Sequence, residues 1–172
     1  MKQIYLAGGC FWGTEHLFKL IEGVVDTQVG YANGHTDNPT YKDVCTDTTG
    51  YAETVRVAYD EAVVDLATLL DMYFMAIDPL SVNKQGEDEG TQYRTGIYYV
   101  DAADVPVIDA KMQAVAQQCG ATLAVEVQPL QVFYSAEDYH QDYLDKNPNG
   151  YCHLSQGLFE LARRLKSKPQ PQ

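Results

Sequence analysis

The stretch QIYLAGGCFWGTEHLFKLIEG, residues 3–23, sets the pattern from which the fold is predicted. Its first seven residues are typical of a short strand that ends in two glycines. Apolar side chains at Leu17 and Ile21 then recur at helical spacing, and Gly23 is expected to end that helix. A cysteine, Cys10, lies where the predicted strand gives way to the helix.

The rest of the chain continues this alternation of strands and helices. Residue periodicity predicts further strands over 24–31, 53–60, 93–100 and 123–130, and helices over 62–78, 102–120, 135–147 and a short segment after 150. Gly120 is expected to stop the second of these helices, and Ser135 to cap the third. The polar stretches 32–53 and 81–93 are expected to be irregular. The pattern indicates a two-layer α+β or α/β domain.

Length and charge narrow the functional classes. The 172 residues indicate one domain, 1–166, followed by a disordered tail over 167–172. The net charge of −12 argues against nucleic-acid and membrane-surface binding, because an acidic surface repels phosphate groups. No apolar run reaches the roughly 18 residues of a membrane helix, and the apolar start is too short for a secretion signal. We therefore expect a cytoplasmic protein.

The cysteines are expected to be thiols and not metal ligands. No two of them have CxxC spacing, and of the four histidines only His153 adjoins a cysteine. A zinc site is therefore not predicted, and a reducing cytosol keeps thiols free. The cysteines are Cys10, Cys45, Cys119 and Cys152.

Cys10 is the strongest candidate for chemistry. The first N–H groups of a helix carry partial positive charge, which stabilises a thiolate placed there. The preceding glycines leave the sulfur open to approach, and Phe11 and Trp12 would form an apolar wall beside it. The alternative is that Cys10 is a small buried apolar residue and the two aromatic side chains belong to the core. This stretch alone leaves both interpretations open.

The motif GGCFWG resembles the active-site signature of the A-type peptide methionine sulfoxide reductases. Four further stretches match that family in the same order: GYANGHTDNPTYKDVCTDTTGYAE, QGEDEGTQYRTGIYY, FYSAEDYHQDYL and NPNGYC. Together they extend from Leu6 to Cys152. The resemblance implies an α+β fold, a two-layer sandwich around a mixed β-sheet with a ferredoxin-like core and long coil excursions. It also makes the domain 1–166 a catalytic one.

The resemblance assigns a role to each candidate residue in the reduction of methionine sulfoxide, free or in proteins, to methionine. Cys10 would be the nucleophile, Phe11 and Trp12 would enclose the substrate methyl group, and Glu53 would donate a proton. Tyr41 and Tyr93 would hydrogen-bond the sulfoxide oxygen, Asp88 would help to hold the substrate, and His140 would lie around the site. A carboxylic acid beside an apolar wall is favoured in its protonated form, which suits a proton donor.

The resemblance also implies how the enzyme is regenerated. Loss of methionine leaves a sulfenic acid on Cys10, and a second thiol captures such a group as a disulfide. Cys152 matches the resolving cysteine of the family, and thioredoxin would reduce the Cys10–Cys152 disulfide. Cys45 matches a position without a catalytic role in the family, and Cys119, near a predicted helix end, is interpreted as structural; the sequence leaves open whether either joins the redox cycle. The family acts on the S epimer and requires no cofactor or metal, and we expect a monomer.

Three other functions remain open at the level of sequence. A cysteine–histidine acyl transferase or hydrolase would use Cys10 as nucleophile and His140 as base, with no need for Cys152. A non-catalytic module would bind oxidised methionine without losing a thiol. A thiol peroxidase would form the same sulfenic acid from peroxide, although the aromatic pair favours a substrate that carries a methyl group.

Overall fold

The computed structural model describes residues 1–165 of the chain. The strands and helices follow in the order β1 (Lys2–Ala7), α1 (Phe11–Lys19), β2 (Val24–Ala32), α2 (Tyr41–Cys45), β3 (Ala52–Tyr59), α3 (Leu66–Ala76), β4 (Lys84–Gln85), β5 (Asp88–Glu89), β6 (Gly96–Tyr99), α4 (Val105–Cys119), β7 (Glu126–Pro129), β8 (Phe133–Ser135), α5 (Tyr143–Lys146) and α6 (Gln156–Arg164). Short 3-10 turns occupy Thr91–Tyr93, Ala102–Asp104 and Asp138–His140. The predicted tail, and the last residue of the predicted domain, lie outside the described residues.

A six-stranded sheet forms the centre of the fold. Its strand order is β7-β6-β1-β3-β2-β8, and β4 pairs with β5 in a separate small hairpin. Neighbouring strands of the large sheet run antiparallel except for β6 and β7, which are parallel. The sheet is therefore mixed, and the prediction of an α+β fold around a mixed sheet is confirmed.

The two faces of β1 supply two apolar clusters. Ile4 and Leu6 belong to the main core, which also contains buried residues of α1 and α3. Tyr5 and Ala7 point to the opposite face and join a smaller cluster. Because successive side chains of a strand alternate between faces, this one strand is buried on both sides and fixes the centre of the sheet.

The turn from β1 into α1 is held at several points. Gly9 has φ of +80°, a conformation that side chains disfavour. The Thr14 hydroxyl donates to the Gly8 carbonyl at 3.2 Å. The buried Tyr73 hydroxyl of α3 donates to the Ala7 carbonyl at 2.6 Å and accepts from the Gly96 amide at 3.0 Å, which ties β1, β6 and α3 together. The residue that follows this turn is therefore presented by a rigid backbone.

Several predicted boundaries were wrong. Helix α1 ends at Lys19, four residues before the glycine that was expected to stop it. The predicted helix over 135–147 is absent. Ser135 is instead the last residue of β8, and a 3-10 turn and the four-residue α5 follow it. Gly120 does end α4, in the left-handed conformation, as predicted. Within residues 1–165, no helix is long and apolar enough to cross a membrane.

Candidate active site

Cys10 is the N-cap residue of α1, directly after the turn described above. Its backbone is extended, its side chain makes no capping hydrogen bond, and only 7% of the residue is exposed. All four cysteines, each within the described part of the chain, are free thiols. The structure thus places a reduced and nearly buried sulfur at the entrance of a helix.

Glu53 of β3 reaches the same helix entrance. The Phe11 amide donates to its Oε1 at 3.2 Å, while its buried Oε2 has no hydrogen-bond partner within residues 1–165. Burial raises the pKa of Glu53 to about 8; the Phe11 amide opposes this rise and the negative charge of Asp88 adds to it. Glu53 is therefore a protonated acid at neutral pH, with one oxygen atom uncommitted.

The structure corrects the expectation of a stabilised Cys10 thiolate. Burial, and then the Glu53 carboxylate, raise the pKa of the Cys10 thiol above its ordinary value. The Trp12 amide at the helix entrance lowers this pKa but does not compensate. The helix entrance does stabilise the charged sulfur, but the cost of removing that charge from water is larger. The resting site therefore holds two protons, one on Cys10 and one on Glu53.

An aromatic wall stands beside these two groups. Phe11 is buried, and Trp12 is partly exposed. The Trp12 indole stacks on Tyr143 with ring centroids 3.7 Å apart, and its N–H donates to Nδ1 of His140 at 2.9 Å. The plane and the edge of the indole are both fixed, so the ring offers a preformed apolar surface.

His140 lies behind this wall on a 3-10 turn, not on the helix that the sequence predicted. Only 1% of it is exposed, and burial lowers its pKa, so the ring is neutral at neutral pH. Since Nδ1 accepts from Trp12, the remaining proton resides on Nε2. His140 also contacts Phe11 and Tyr41, with ring centroids 5.2 and 4.5 Å away.

Tyr41 and Tyr93 are half-buried hydroxyl donors near the acid. Burial raises the pKa of both phenols, and Glu53, which is ionised at the high pH where phenols titrate, raises it further. The Tyr41 amide donates to Oε2 of Glu137 at 2.9 Å, and the Tyr31 hydroxyl donates to Oε1 of the same carboxylate at 2.8 Å. Glu137 therefore fixes the start of α2, from which the Tyr41 ring projects.

Asp88 and Cys152 form the other side of the site. Asp88 lies on β5 and accepts a 2.9 Å hydrogen bond from the Tyr151 hydroxyl. The Cys152 sulfur lies 3.0 Å from the point that a Cβ on Gly13 would occupy, and the Leu154 amide donates to that sulfur at 3.4 Å. A side chain at Gly13 would displace the sulfur, so this glycine admits Cys152 to the first turn of α1.

The structure thus brings all the residues singled out from the sequence to one region around the start of α1. It also reveals residues that sequence reasoning missed: Tyr143 stacks on Trp12, Glu137 holds the start of α2, and Tyr151 bonds Asp88. No local pattern identified them, because each acts through a contact distant in sequence. In residues 1–165 there is no group of three or more His, Cys, Asp or Glu side chains that could hold a metal ion.

Comparison with known proteins decides the family. A family profile described as "Peptide methionine sulfoxide reductase" matches residues 2–170. The chain belongs to the peptide methionine sulfoxide reductase family. Among the relatives in this family is the peptide methionine sulfoxide reductase MsrA of Lachnoclostridium phytofermentans, which is 55% identical over 162 residues, 94% of this chain and 98% of the relative.

Solved structures of the family support the same assignment. Mxr1 from Saccharomyces cerevisiae in its reduced form aligns with a TM-score of 0.84 and 43% identity, over 88% of each chain. Mxr1 in complex with Trx2 aligns with a TM-score of 0.58 and 28% identity, over 83% of this chain and 84% of that one. Both the fold and the sequence of this chain are therefore those of the reductase family.

Proposed function

We propose that this chain reduces the S epimer of methionine sulfoxide, free or within proteins, with Cys10 as the nucleophile. The observation that carries the proposal is the meeting of Cys10 with a neutral Glu53 whose Oε2 has no hydrogen-bond partner among the described residues. Reduction of a sulfoxide needs both a sulfur nucleophile and a proton for the oxygen. The hydrogen bond from the Phe11 amide to Glu53, next to Cys10 in the chain, supports this pairing of nucleophile and acid.

In the first half-reaction, the Cys10 sulfur attacks the substrate sulfur while Glu53 gives its proton to the sulfoxide oxygen. The hydroxyl group then passes from the substrate sulfur to the Cys10 sulfur: the substrate sulfur–oxygen bond breaks, a bond between that oxygen and the Cys10 sulfur forms, and the sulfur–sulfur bond breaks. Methionine leaves with the electron pair of the sulfur–sulfur bond, and Cys10 is left as a sulfenic acid. The thiol proton of Cys10 replaces the proton that Glu53 has given. Cys10 is oxidised by two electrons and the substrate is reduced by two. Protonation of the oxygen also removes the charge that would disfavour reaction in a buried site.

Binding of the substrate divides between apolar and polar groups. Phe11 and the stacked Trp12 ring enclose the methyl group, and burial of that group supplies about 1 kcal/mol of affinity. Tyr41 and Tyr93 donate hydrogen bonds to the oxygen, and Asp88 helps to hold the rest of the substrate. His140 acts on the substrate through the ring of Trp12, whose edge it holds.

In the second half-reaction, Cys152 attacks the sulfenic sulfur of Cys10, a disulfide forms and water leaves. A thioredoxin then reduces the disulfide by thiol exchange. The complex of the related Mxr1 with Trx2 supports this partner. The position of Cys152 on the wall of a surface cleft of about 340 Å³ supports it as well, because an external dithiol needs access to one of the two sulfur atoms.

The cysteine–histidine acyl transferase receives less support from the geometry. Its base would be His140, but Nδ1 of that ring already accepts the indole N–H of Trp12 and Nε2 carries the proton. No lone pair of the ring is left to take a proton from Cys10. The proposal therefore rests on the sulfoxide reaction.

The proposal also covers the topology of the fold, the oligomeric state and the cellular location of the chain. A ferredoxin-like core is supported by the β1-α1-β2-β3-α3-β6 order of its elements and by the antiparallel strand order β6-β1-β3-β2. The proposed protein is a monomer that acts in the cytoplasm. It needs no cofactor and binds neither nucleic acid nor membranes.

The test of the proposed function is turnover of each epimer separately, with dithiothreitol as reductant and methionine as the measured product. The parent protein is expected to consume the S epimer and to leave the R epimer unchanged. Cys119→Ser, which removes an exposed thiol at the end of α4, is the matched control for Cys10→Ser and should keep full activity. The proposal is contradicted if Cys10→Ser forms methionine. It is also contradicted if the parent protein forms no methionine from either epimer.

A further inference from the structure

His153 is a partly buried histidine that the reaction described so far does not use. Neither of its ring nitrogens is exposed, and the Gly8 carbonyl is the one polar group of residues 1–165 that lies near enough to pair with the ring, so at least one nitrogen has no hydrogen-bond partner. Buried polar atoms of proteins are almost always paired, so a ring nitrogen that lacks a partner requires an explanation. Its surroundings provide one.

The His153 ring lies across the first turn of α1. Its Nε2 is 3.1 Å from the point where a Cβ on Gly9 would be, and its Nδ1 is 3.4 Å from the corresponding point on Gly13. The Cys152 sulfur is 3.0 Å from that same point on Gly13. The imidazole and the resolving thiol therefore lie side by side over one glycine, and the ring extends from there to the residue that precedes Cys10.

The electrostatics of this arrangement suit transfer of a proton from sulfur to nitrogen. Burial lowers the pKa of His153, while Asp88 and the nearby Gly8 carbonyl oppose the shift, so the ring is neutral at neutral pH. Burial raises the pKa of Cys152, which therefore rests as a thiol and is a poor nucleophile until it loses its proton. The elements around the ring carry these other ionisable groups: Cys10, Lys84, Glu87, Asp88 and Glu89.

We propose that His153 is the proton acceptor of the resolving step, an inference that rests on the proposed function. As the Cys152 sulfur attacks the sulfenic sulfur of Cys10, its proton passes to the unpaired nitrogen of His153. The sulfur–sulfur bond forms, the sulfur–oxygen bond of the sulfenic acid breaks, and the leaving hydroxide takes a proton to become water. The imidazolium returns its proton to that hydroxide, so the ring is neutral at the start and at the end.

The other two histidines near the site are less suited to this task. His140 has committed its accepting nitrogen to Trp12. His16 lines the same cleft as Cys152, but its ring faces Asp145, with Nδ1 3.6 Å from the carboxylate, and lies edge-on to Phe159. His16 is therefore the matched control: a histidine of α1 beside the same thiol, but not over the turn that carries Cys10.

The experiment is a single turnover of the full chain with the S epimer and no reductant. Samples are quenched with an alkylating agent, and methionine, the Cys10 sulfenic acid and the Cys10–Cys152 disulfide are followed in time. His153→Gln and His153→Leu should form methionine at the parent rate but form the disulfide about 100-fold more slowly, within the usual contribution of a positioned base. His16→Gln should behave as the parent does.

Two readouts distinguish proton transfer from a merely structural effect. The deficit of His153→Gln should shrink as the pH rises, because Cys152 then ionises without help, and added imidazole should restore part of the rate. A deficit that is constant with pH and insensitive to imidazole overturns the proposal, as does a parent-like disulfide rate in both variants or a slow rate in His16→Gln. If the parent forms no methionine, the proposed function fails, which is a separate result seen before any disulfide is measured.

Discussion

Cys10 and Cys152 lie on contrasting kinds of backbone. Cys10 follows a central strand that is buried on both faces, and the turn before it is held by three hydrogen bonds through Thr14 and Tyr73. Cys152 lies in an irregular segment between α5 and α6, and its neighbour Tyr151 is exposed. One cysteine is held by the core, whereas the other rests on the surface of that core.

This difference matches the two halves of the proposed reaction. Attack on a sulfoxide needs Cys10, the acid Glu53 and the aromatic wall in fixed geometry, since a small misplacement costs a large factor in rate. Disulfide formation needs the Cys152 segment to move towards Cys10, and a segment without regular structure opens at low cost. Substitutions in the two regions should therefore damage different steps, and the predictions below test this separation from the largest effect to the smallest.

The largest effect is expected for Cys10→Ser. The hydroxyl is a far weaker nucleophile towards sulfur, so neither methionine nor a disulfide should form, in single or in multiple turnovers. Chromatographic detection of methionine checks this. Any disulfide that forms in this variant on addition of the S epimer would show that another thiol can begin the reaction.

Cys152→Ser should separate the two regions most clearly. One methionine should form per chain at the parent rate, because the buried site is intact, but turnover with thioredoxin as reductant should be lost. A sulfenic acid probe should label Cys10 in this variant. Sustained thioredoxin-dependent turnover would mean that Cys45 or Cys119 resolves the sulfenic acid, and the contrast drawn above would be wrong.

Glu53→Gln should slow methionine formation by about 10²–10⁴-fold, the usual contribution of a positioned acid. The amide oxygen can still accept from the Phe11 amide, so binding should be retained. In the parent, kcat/KM should fall as the pH rises through about 8, where Glu53 loses its proton. A parent-like first step in the variant would remove Glu53 from the reaction.

Glu53 should also make stability depend on pH. Its pKa is about 8 in the folded chain against an ordinary value of 4.5, so the folded state binds the proton more tightly. Stability should then decrease as the pH rises from about 4.5 and should stop decreasing above about 8. Urea unfolding at pH 6 and at pH 9 checks this. The loss of unfolding free energy from pH 6 to pH 9 should be smaller in Glu53→Gln than in the parent, by a few kcal/mol. Equal losses in both proteins would contradict a buried neutral acid.

The smallest effect is expected for Tyr151→Phe. This change removes the hydrogen bond to Asp88 that fastens the Cys152 segment, worth about 0.5–1.5 kcal/mol. Alkylation of Cys152 by iodoacetamide should become several-fold faster, while the rate of methionine formation changes little. Tyr139→Phe, at an exposed tyrosine on the 3-10 turn, is the control. Unchanged alkylation in Tyr151→Phe would show that this hydrogen bond does not restrain the segment.

The same contrast explains what the sequence could predict. The strand, the turn and the thiol at the start of α1 follow from local periodicity and from the two glycines. The capping box of Thr40 and Asp43, which starts α2 inside a stretch predicted as irregular, is also a local signal that the sequence contains. The left-handed Asp142 and the cross-chain stacking of Tyr143 on Trp12 were not visible, because they depend on tertiary contacts.

The protonation state of the site illustrates the limit most clearly. A helix entrance favours a thiolate, and this contribution can be recognised from the local sequence. Whether the thiolate forms depends on how deeply Cys10 is buried and on the distance of a carboxylate that arrives from β3, 43 residues later in the chain. The family motifs identified the residues, but their charge states required the folded structure.

Mapping of the disulfide after one turnover shows which cysteine resolves the sulfenic acid of Cys10. The reduced chain is mixed with one equivalent of the S epimer without reductant, then quenched, digested and analysed by mass spectrometry. The account predicts about one methionine per chain, the loss of two thiols, and a Cys10–Cys152 linkage with Cys45 and Cys119 still reduced. Methionine formation with a different linkage, or with no disulfide at all, would contradict the assignment of the first step to the buried site and of the second step to the Cys152 segment.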